Sequence, residues 1–245
     1  MKTAIFIPSR IGSTRLPNKA LADINGIPMV VHVLNRARES GITDIFVATD
    51  DEKIKKEIEN VGGIAIMTES NLPSGTDRIY AAMEKISKNY DIIINLQGDM
   101  PNIKPYIIKF VQDVLLNEKN ADISTAVVKI TNKNEIENEN IVKAVLSINN
   151  NEAIARAIYF SRSPCPASPS NQNADYYHHL GIYAYRADSL KKFVNLPISY
   201  LENREKLEQL RAIENDMKIY ACIVNDLPIS IDVQSDLDII RKILI

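Results

Sequence analysis

The sequence is short of several things, and each shortage removes a class of function. Positive charge does not outweigh negative: 29 Lys and Arg stand against 31 Asp and Glu, a formal net charge of -2 over 245 residues. A chain with no basic surplus carries no electrostatic footprint for a nucleic-acid polymer. Long apolar runs are missing as well. None approaches the ~20 residues of a membrane-spanning helix, so a membrane is not expected as a partner. The opening MKTAIFIPSR joins a basic residue to a short apolar run. It lacks the longer apolar stretch and small-residue cleavage site of a secretory leader, and reads as a first strand. Cysteine is limited to Cys165 and Cys222. So few in a chain this long are expected as free thiols of a reducing, cytoplasmic compartment. Histidine is limited to His32, His178 and His179. Two adjacent histidines on extended backbone face opposite ways, and no Cys lies near them, so zinc is not expected. His32, inside a helical pattern, reads as structural. Gly-x-Ser-x-Gly, GxxxxGK[ST] and GxGxxG are all absent. The hydrolase elbow, the ATPase phosphate loop and the dinucleotide fingerprint go with them.

What remains is the balance of an ordinary globular protein, 45% apolar and 24% charged. Its length suits one α/β domain or two small ones. In the first half, apolar runs at 3–8, 44–49, 64–67 and 92–96 read as strands. Amphipathic stretches at 28–40, 51–61, 77–88 and 104–117 read as the helices between them. That alternation predicts a mostly parallel sheet built from βαβ units. In the second half, strands are expected at 123–129, 142–146, 157–160, 180–185 and 219–224, and helices at 201–214 and 235–244. The Asn149-Asn150-Asn151 cluster predicts a turn, 132–140 a polar loop, and the Pro- and Ser-rich 163–173 a mobile loop. No repeat or long linker divides the chain, so one domain is expected over 1–245.

In an open parallel sheet, ligands bind beyond the carboxyl ends of the strands. The polar motifs fall there. SRIGSTRLPNK follows the first strand, with Gly12, Ser13, Thr14, Arg10, Arg15 and Lys19. Glycine lets backbone approach a phosphate, amides and hydroxyls donate to it, and cations neutralise it. The competing reading is an ordinary solvated loop. Thr49, Asp50 and Asp51 follow the second strand, PSGTDR (residues 73–78) the third, and QGDMP (residues 97–101) the fourth. Asp99 is either a magnesium ligand, since Mg²⁺ is held by one or two carboxylates plus phosphates, or a helix cap. Asp232 precedes the last helix and is a second candidate, although spacing does not bring it to Asp99. Asp236 and Asp238 read as solvated acids of that helix. Cys165 reads as a plain loop cysteine.

These motifs, taken in order with IVKAVL, IYFSRSP, HHLGIYAYR, LEQLRAIEN and IDVQSDLD, resemble the family of 3-deoxy-manno-octulosonate (Kdo) cytidylyltransferases, also called CMP-Kdo synthetases. The resemblance runs over essentially the whole chain. STRLP-x-K belongs to the wider sugar nucleotidyltransferases, whereas YFSR, HLGIY and LEQLR narrow the match. It implies a Rossmann-like nucleotidyltransferase fold with a mostly parallel central sheet and a small antiparallel subregion. It implies a nucleotide-binding half over 1–125 and a sugar-binding and dimerisation half over 126–245. It also implies CTP and Kdo as substrates, Mg²⁺ as cofactor, a cytoplasmic homodimer, and a role in lipopolysaccharide synthesis.

Residue by residue, Arg10, Ser13, Arg15 and Lys19 match the loop that holds the triphosphate, and Ser74, Gly75 and Arg78 the segment near the cytidine. Asp99 and Asp232 match the metal carboxylates. Gln97, Arg162, His179, Glu208 and Gln209 match the sugar site, with Arg162 the natural partner for the sugar carboxylate. Arg10, Lys19, Asp99 and Asp232 are the expected catalytic set. The chain departs from the family pattern at Met100, where an acid is usual, at Ser230 for Gly and at Ser235 for Pro. Two other readings stand beside this one: a cytidylyltransferase for a related acidic sugar (8-amino-Kdo or a sialic-acid-like acid), and a non-catalytic nucleotide-binding regulator. Joint presence of the three cations and two carboxylates speaks against the regulator.

Overall fold

The computed structural model describes residues 1–13, 15–148, 153–168 and 175–244. Thr14, the expected turn at Asn149 to Asn151, and residues 169–173 of the expected loop lie outside them. The chain divides into two compact units, Met1–Lys109 with Pro228–Ile245, and Phe110–Leu227.

The first unit opens with β1 (Thr3–Ser9), whose Ala4, Ile5, Phe6 and Ile7 are fully buried. A run apolar on both faces suits a strand flanked by strands and covered on each side. A small hairpin follows, β2 (Asp23–Ile24) and β3 (Ile27–Pro28), and then α1 (Met29–Glu39). The hairpin turns on Asn25 and Gly26, both at positive φ. That Asn-Gly pair is a strong hairpin signal, and the expectations above passed over it. Next come β4 (Asp44–Thr49), α2 (Glu52–Asn60), β5 (Ile64–Met67), α3 (Gly75–Glu84) and β6 (Ile92–Asn95). The strands lie in the order β5-β4-β1-β6, every pairing parallel, as the alternation predicts. Their carboxyl ends therefore share one edge. Asp51 caps α2 by accepting from the Lys53 and Ile54 amides, at 2.7 and 3.2 Å. Ser74 caps α3 through the Thr76 and Asp77 amides, both at 3.1 Å. The SGTDR motif thus begins α3 itself, two residues ahead of the expected start.

The division between units falls within α4 (Pro105–Asn117). The second unit holds β7 (Ile123–Lys129), β8 (Lys143–Ser147), β9 (Ile154–Ser161), β10 (Tyr177–Arg186), α5 (Ala187–Val194), α6 (Tyr200–Glu205), α7 (Leu210–Glu214) and β11 (Ile219–Val224). Here β11 runs parallel to β7, while β10 on β7, β9 on β11 and β8 on β9 are antiparallel. The antiparallel part is therefore not the small subregion expected, and the sheet structure is mixed rather than mostly parallel. The cause is β8, β9 and β10, each paired antiparallel to a neighbour.

One predicted helix, 201–214, is two. Lys206 sits at φ +55° and ends α6. Glu202 then reaches Arg211 of α7 with two hydrogen bonds, 2.8 and 2.5 Å, both groups buried. Forked pairing of this kind fixes two elements at once. The chain ends in α8 (Gln234–Ile243), part of the first unit. Among the described residues, no helix is long and apolar enough to cross a membrane.

Candidate active site

At the carboxyl edge of the first unit's strands lies a cavity of about 330 Å³. Its lining includes Arg10, Ser13, Arg15 and Lys19 from the loop after β1, Ser74, Gly75 and Arg78 from the start of α3, Gln97 and Asp99 after β6, and Asp232 before α8. Every residue assigned to the nucleotide and the metal is therefore gathered in one place.

Packing explains how Asp232 arrives there. Leu16, Ile24 and Met29 bury against Ile231, Leu237 and Ile240. Each such side chain contributes about 1.5–3 kcal/mol when fully buried. The far end of α8 is tied down too: Arg241 donates to the Asp23 carbonyl through Nε and Nη2, at 3.0 and 2.8 Å. This apolar clamp sets the cationic loop beside residues 231 and 232. The Ile231 amide then donates to the Asp99 carbonyl at 2.9 Å. Asp236 is no solvated acid. Its Oδ2 accepts the Asp232 and Val233 amides, at 2.9 and 3.0 Å, and holds the backbone that presents Asp232.

Lys19 is the hub. Its Nζ donates to Asp99 Oδ2 at 2.8 Å, to Asp232 Oδ1 at 3.2 Å and to the Ile231 carbonyl at 2.8 Å. Arg15 Nη2 adds a 3.0 Å bond to Asp232 Oδ1 from a largely exposed position. Asp99 is a site residue here, not a helix cap: its carboxylate turns to Lys19, and α4 starts only at Pro105. Met100 beside it is buried and does not line the cavity, so the departure from the family pattern alters the core and not the cavity wall. Two hard oxygen-donor carboxylates next to a phosphate-sized cavity fit Mg²⁺, which takes few protein ligands. Among the described residues no group of three or more His, Cys, Asp or Glu could hold a metal.

Two neighbours carry structural duties. Arg78 is buried, with Nη1 on Thr68 Oγ1 at 2.6 Å and Nη2 on Asp50 Oδ2 at 3.1 Å. It is thus a pinned cation in the cavity wall. Ser74 spends its hydroxyl on the α3 cap and on Asp77 Oδ2 at 2.7 Å. Gly98 lets β6 turn close to β1, because a Cβ there would sit 2.8 Å from the Pro8 carbonyl oxygen. Sequence reasoning missed Ser9. It lines the cavity, and its hydroxyl is buried with no hydrogen-bond partner. The signal lay in its place, first residue of the loop motif.

Of the expected sugar residues, Gln97 belongs to this cavity, its Nε2 donating to Asn95 Oδ1 at 3.1 Å. Arg162, His179, Glu208 and Gln209 belong to the second unit. His179 is buried, its ring 4.9 Å from Phe160 and 5.3 Å from Tyr183 between centroids. The Thr125 hydroxyl lies 3.0 Å from His179 Nε2, and 3.1 and 2.8 Å from the Leu180 and Ile182 carbonyls. Its single proton serves a carbonyl, and it accepts the Nε2 proton of a neutral imidazole. Burial, with His178 adding to it, pushes His179 down to about 3. The bulge at Gly181 and Ile182, inside HLGIY, makes this arrangement possible. Burial raises Tyr183 well above its usual range, with Tyr185 and then Glu208 adding to it. Gln209 is buried, and its Nε2 has no partner among the described residues. His32 is structural as expected, its Nε2 3.0 Å from the Ile24 carbonyl. Cys222 is a buried free thiol pushed up to about 12 by burial, and Cys165 is also free.

A family model described as cytidylyltransferase matches residues 4–219. A 3-deoxy-manno-octulosonate cytidylyltransferase of Paramagnetospirillum magneticum is 43% identical over 242 residues, covering 98% of this chain and 96% of its own. One from Bartonella quintana is 45% identical over 249 residues, covering 100% and 99%. The chain belongs to the 3-deoxy-manno-octulosonate cytidylyltransferase family. It is a nucleotidyltransferase. Among solved structures, a CMP:2-keto-3-deoxy-manno-octonic acid synthetase complexed with CTP superposes with a TM-score of 0.92 at 37% identity, covering 100% of this chain and 98% of its own. A cytidylyltransferase from Leptospira borgpetersenii, at 18% identity and TM-score 0.64, shares the fold.

Proposed function

We propose that this enzyme transfers the cytidylyl group of CTP to Kdo and releases pyrophosphate. The observation that carries the reading is the meeting of Lys19, Asp99 and Asp232 in a cavity rimmed by Arg10, Ser13 and Arg15. Cations and hydroxyls there suit a triphosphate, and a carboxylate pair suits the Mg²⁺ that accompanies it. In the reaction the anomeric C2 hydroxyl of Kdo attacks the α-phosphorus. A C2–O–P bond forms, the bond from the α-phosphorus to the bridging oxygen breaks, and pyrophosphate leaves while the hydroxyl loses its proton.

Residues of this chain supply positioning and charge. Arg10, Arg15, Ser13 and Lys19 hold the triphosphate, and Lys19 also keeps Asp99 and Asp232 aligned. Ser74, Gly75 and Arg78 shape the cytidine side. Gln97, Arg162, His179, Glu208 and Gln209 receive the sugar, with Arg162 on its carboxylate. Asp99 and Asp232 would hold Mg²⁺, which when bound neutralises phosphate charge and lowers the pKa of the attacking hydroxyl. The reading includes a homodimer working in the cytoplasm on a step toward lipopolysaccharide; light scattering on the purified protein checks the dimer.

The deciding measurement is pyrophosphate release from CTP with Kdo, 8-amino-Kdo or N-acetylneuraminate, and from ATP, GTP and UTP with Kdo. Selective turnover of CTP with Kdo is expected. Preference for another acid would move the enzyme to a related sugar, and no turnover with any pair would leave a binding protein.

A further inference from the structure

Lys143 is wholly buried in β8, yet nothing in the reaction above uses it. Its ammonium donates to the Asn138 carbonyl at 3.0 Å, the Ile141 carbonyl at 2.8 Å and the Arg162 carbonyl. An ammonium has three protons, and all three are placed. Burying a cation is costly, and burial, with the neighbouring Arg162 charge adding to it, lowers the pKa of Lys143 against the opposing pull of Glu137, Glu139 and Glu205. A fold that needed only a filled core at this position would do better with an apolar side chain.

The three carbonyls are not scattered. Asn138 and Ile141 bracket Glu139, whose own carbonyl accepts Arg162 Nη1 at 2.9 Å. Arg162 Nε donates to the Glu205 carbonyl at 2.8 Å, and the Arg162 amide to Glu205 Oε2 at 3.0 Å. Lys143 therefore grips the backbone of Arg162 and also the loop that orients its guanidinium. Two of the five guanidinium protons are used in this way, and Nη2 has no partner among the described residues. A guanidinium held through Nε and Nη1 presents Nη2 in a fixed place, where it can donate to a carboxylate.

We infer that Lys143 is a positioning residue for the sugar acid: it clamps the 138–141 loop and the Arg162 backbone so that Nη2 of the Arg162 guanidinium is held for the substrate carboxylate. The inference rests on the proposed assignment of Arg162 to that carboxylate.

The test compares Lys143→Met, Arg162→Ala and the double variant by steady-state kinetics with CTP and Kdo. A CTP-induced thermal shift certifies that each variant is folded. For Lys143→Met the KM for Kdo is expected to rise about tenfold or more, the scale of a small misplacement of a positioning group, while the KM for CTP stays put. In the Arg162→Ala background, Lys143→Met should add nothing further to the Kdo KM. If Lys143→Met fails to fold, Lys143→Gln, which keeps two amide protons for the carbonyls, is read in its place. Unchanged Kdo KM in a folded variant, equal losses for CTP and Kdo, or additive losses in the double variant would each overturn the clamp. An Arg162→Ala enzyme with normal Kdo KM would instead remove the Arg162 assignment, and the clamp's purpose with it.

Discussion

Asp99 and Asp232, far apart in sequence, accept hydrogen bonds from the same atom, Nζ of Lys19, at 2.8 and 3.2 Å. Lys19, with Arg15 on Asp232, holds the two carboxylates and offsets their charge. This arrangement predicts how the site responds to damage. In Asp99→Ala, Lys19 keeps Asp232 and the Ile231 carbonyl, so the fold should survive with an unchanged circular dichroism spectrum. Turnover should drop by about 10²-fold or more, the usual effect of removing a charge-stabilising group from an active site. Chelation should abolish wild-type activity and Mg²⁺ restore it. Activity that persists in the variant, or in the presence of chelator, would sink the metal assignment.

Gly98 gives a prediction about shape. A Cβ at this position would lie 2.8 Å from the Pro8 carbonyl oxygen, a backbone atom held in β1. The clash cannot be relieved by turning a side chain, so Gly98→Ala must push β6 away from β1 next to Asp99. The expected loss is about 1–3 kcal/mol of stability, typical of overpacking, with a further fall in kcat. A denaturant midpoint equal to wild type would show that the strand ends are looser than the structure has them.

Much of this edge was legible before the structure. Continuous apolar runs such as Ile92 to Ile94 announce strands covered on both faces, and parallel strands put their following loops on one edge. Loop residues 9–19, Ser74 to Arg78 and Asp99 could therefore be placed together from sequence. Asp232 could not be joined to them by spacing, because its approach depends on Leu16 and Met29 burying against Ile231 and Leu237. Nor could the break at Lys206, since LENREKLEQLRAIE contains neither Gly nor Pro. It is fixed by Glu202 and Arg211 reaching each other across the break, a tertiary bond that overrides helical periodicity. The antiparallel share of the second unit was understated as well. The apolar runs 157–160 and 180–185 mark only part of β9 and β10, so the extent of pairing in this unit was underestimated.

The Arg78–Asp50 pair is nearly sealed from solvent, with side-chain exposures of 3% and 8%. Breaking a buried pair by deleting one member strands the other charge, at a cost of about 3–5 kcal/mol. Asp50→Ala should therefore destabilise the protein strongly in urea unfolding. The cavity wall that Arg78 forms should suffer with it, so that KM for CTP rises in whatever folded fraction remains. The double change Asp50→Ala with Arg78→Met should recover much of the stability, because no buried charge is left over. A double variant no more stable than Asp50→Ala would mean that the Thr68–Arg78 bond, and not the ion pair, matters at this position.

His179, buried, and His178, partly buried, predict a pH dependence with a definite sign. Burial holds His179 at about 3, and burial with Lys143 nearby holds His178 at about 4, against about 6.5 in an unfolded chain. Between those values the unfolded state binds protons that the folded state refuses, so stability rises with pH across this window. Above about 6.5 both states carry neutral imidazoles and the contribution is flat. As pH falls below 6.5, unfolding takes up a proton at each site, and stability falls by up to about 1.4 kcal/mol per pH unit for each histidine. For His179 alone the loss between pH 7 and pH 5 is about 2 kcal/mol. Urea unfolding at pH 7, 6 and 5 measures it. His179→Gln, whose amide can still donate to the Thr125 hydroxyl, has no group to titrate, so its slope over this range should be shallower than wild type by one proton. Parallel curves for the two proteins would show that His179 is protonated in the folded state, which is incompatible with its enclosure between Phe160 and Tyr183.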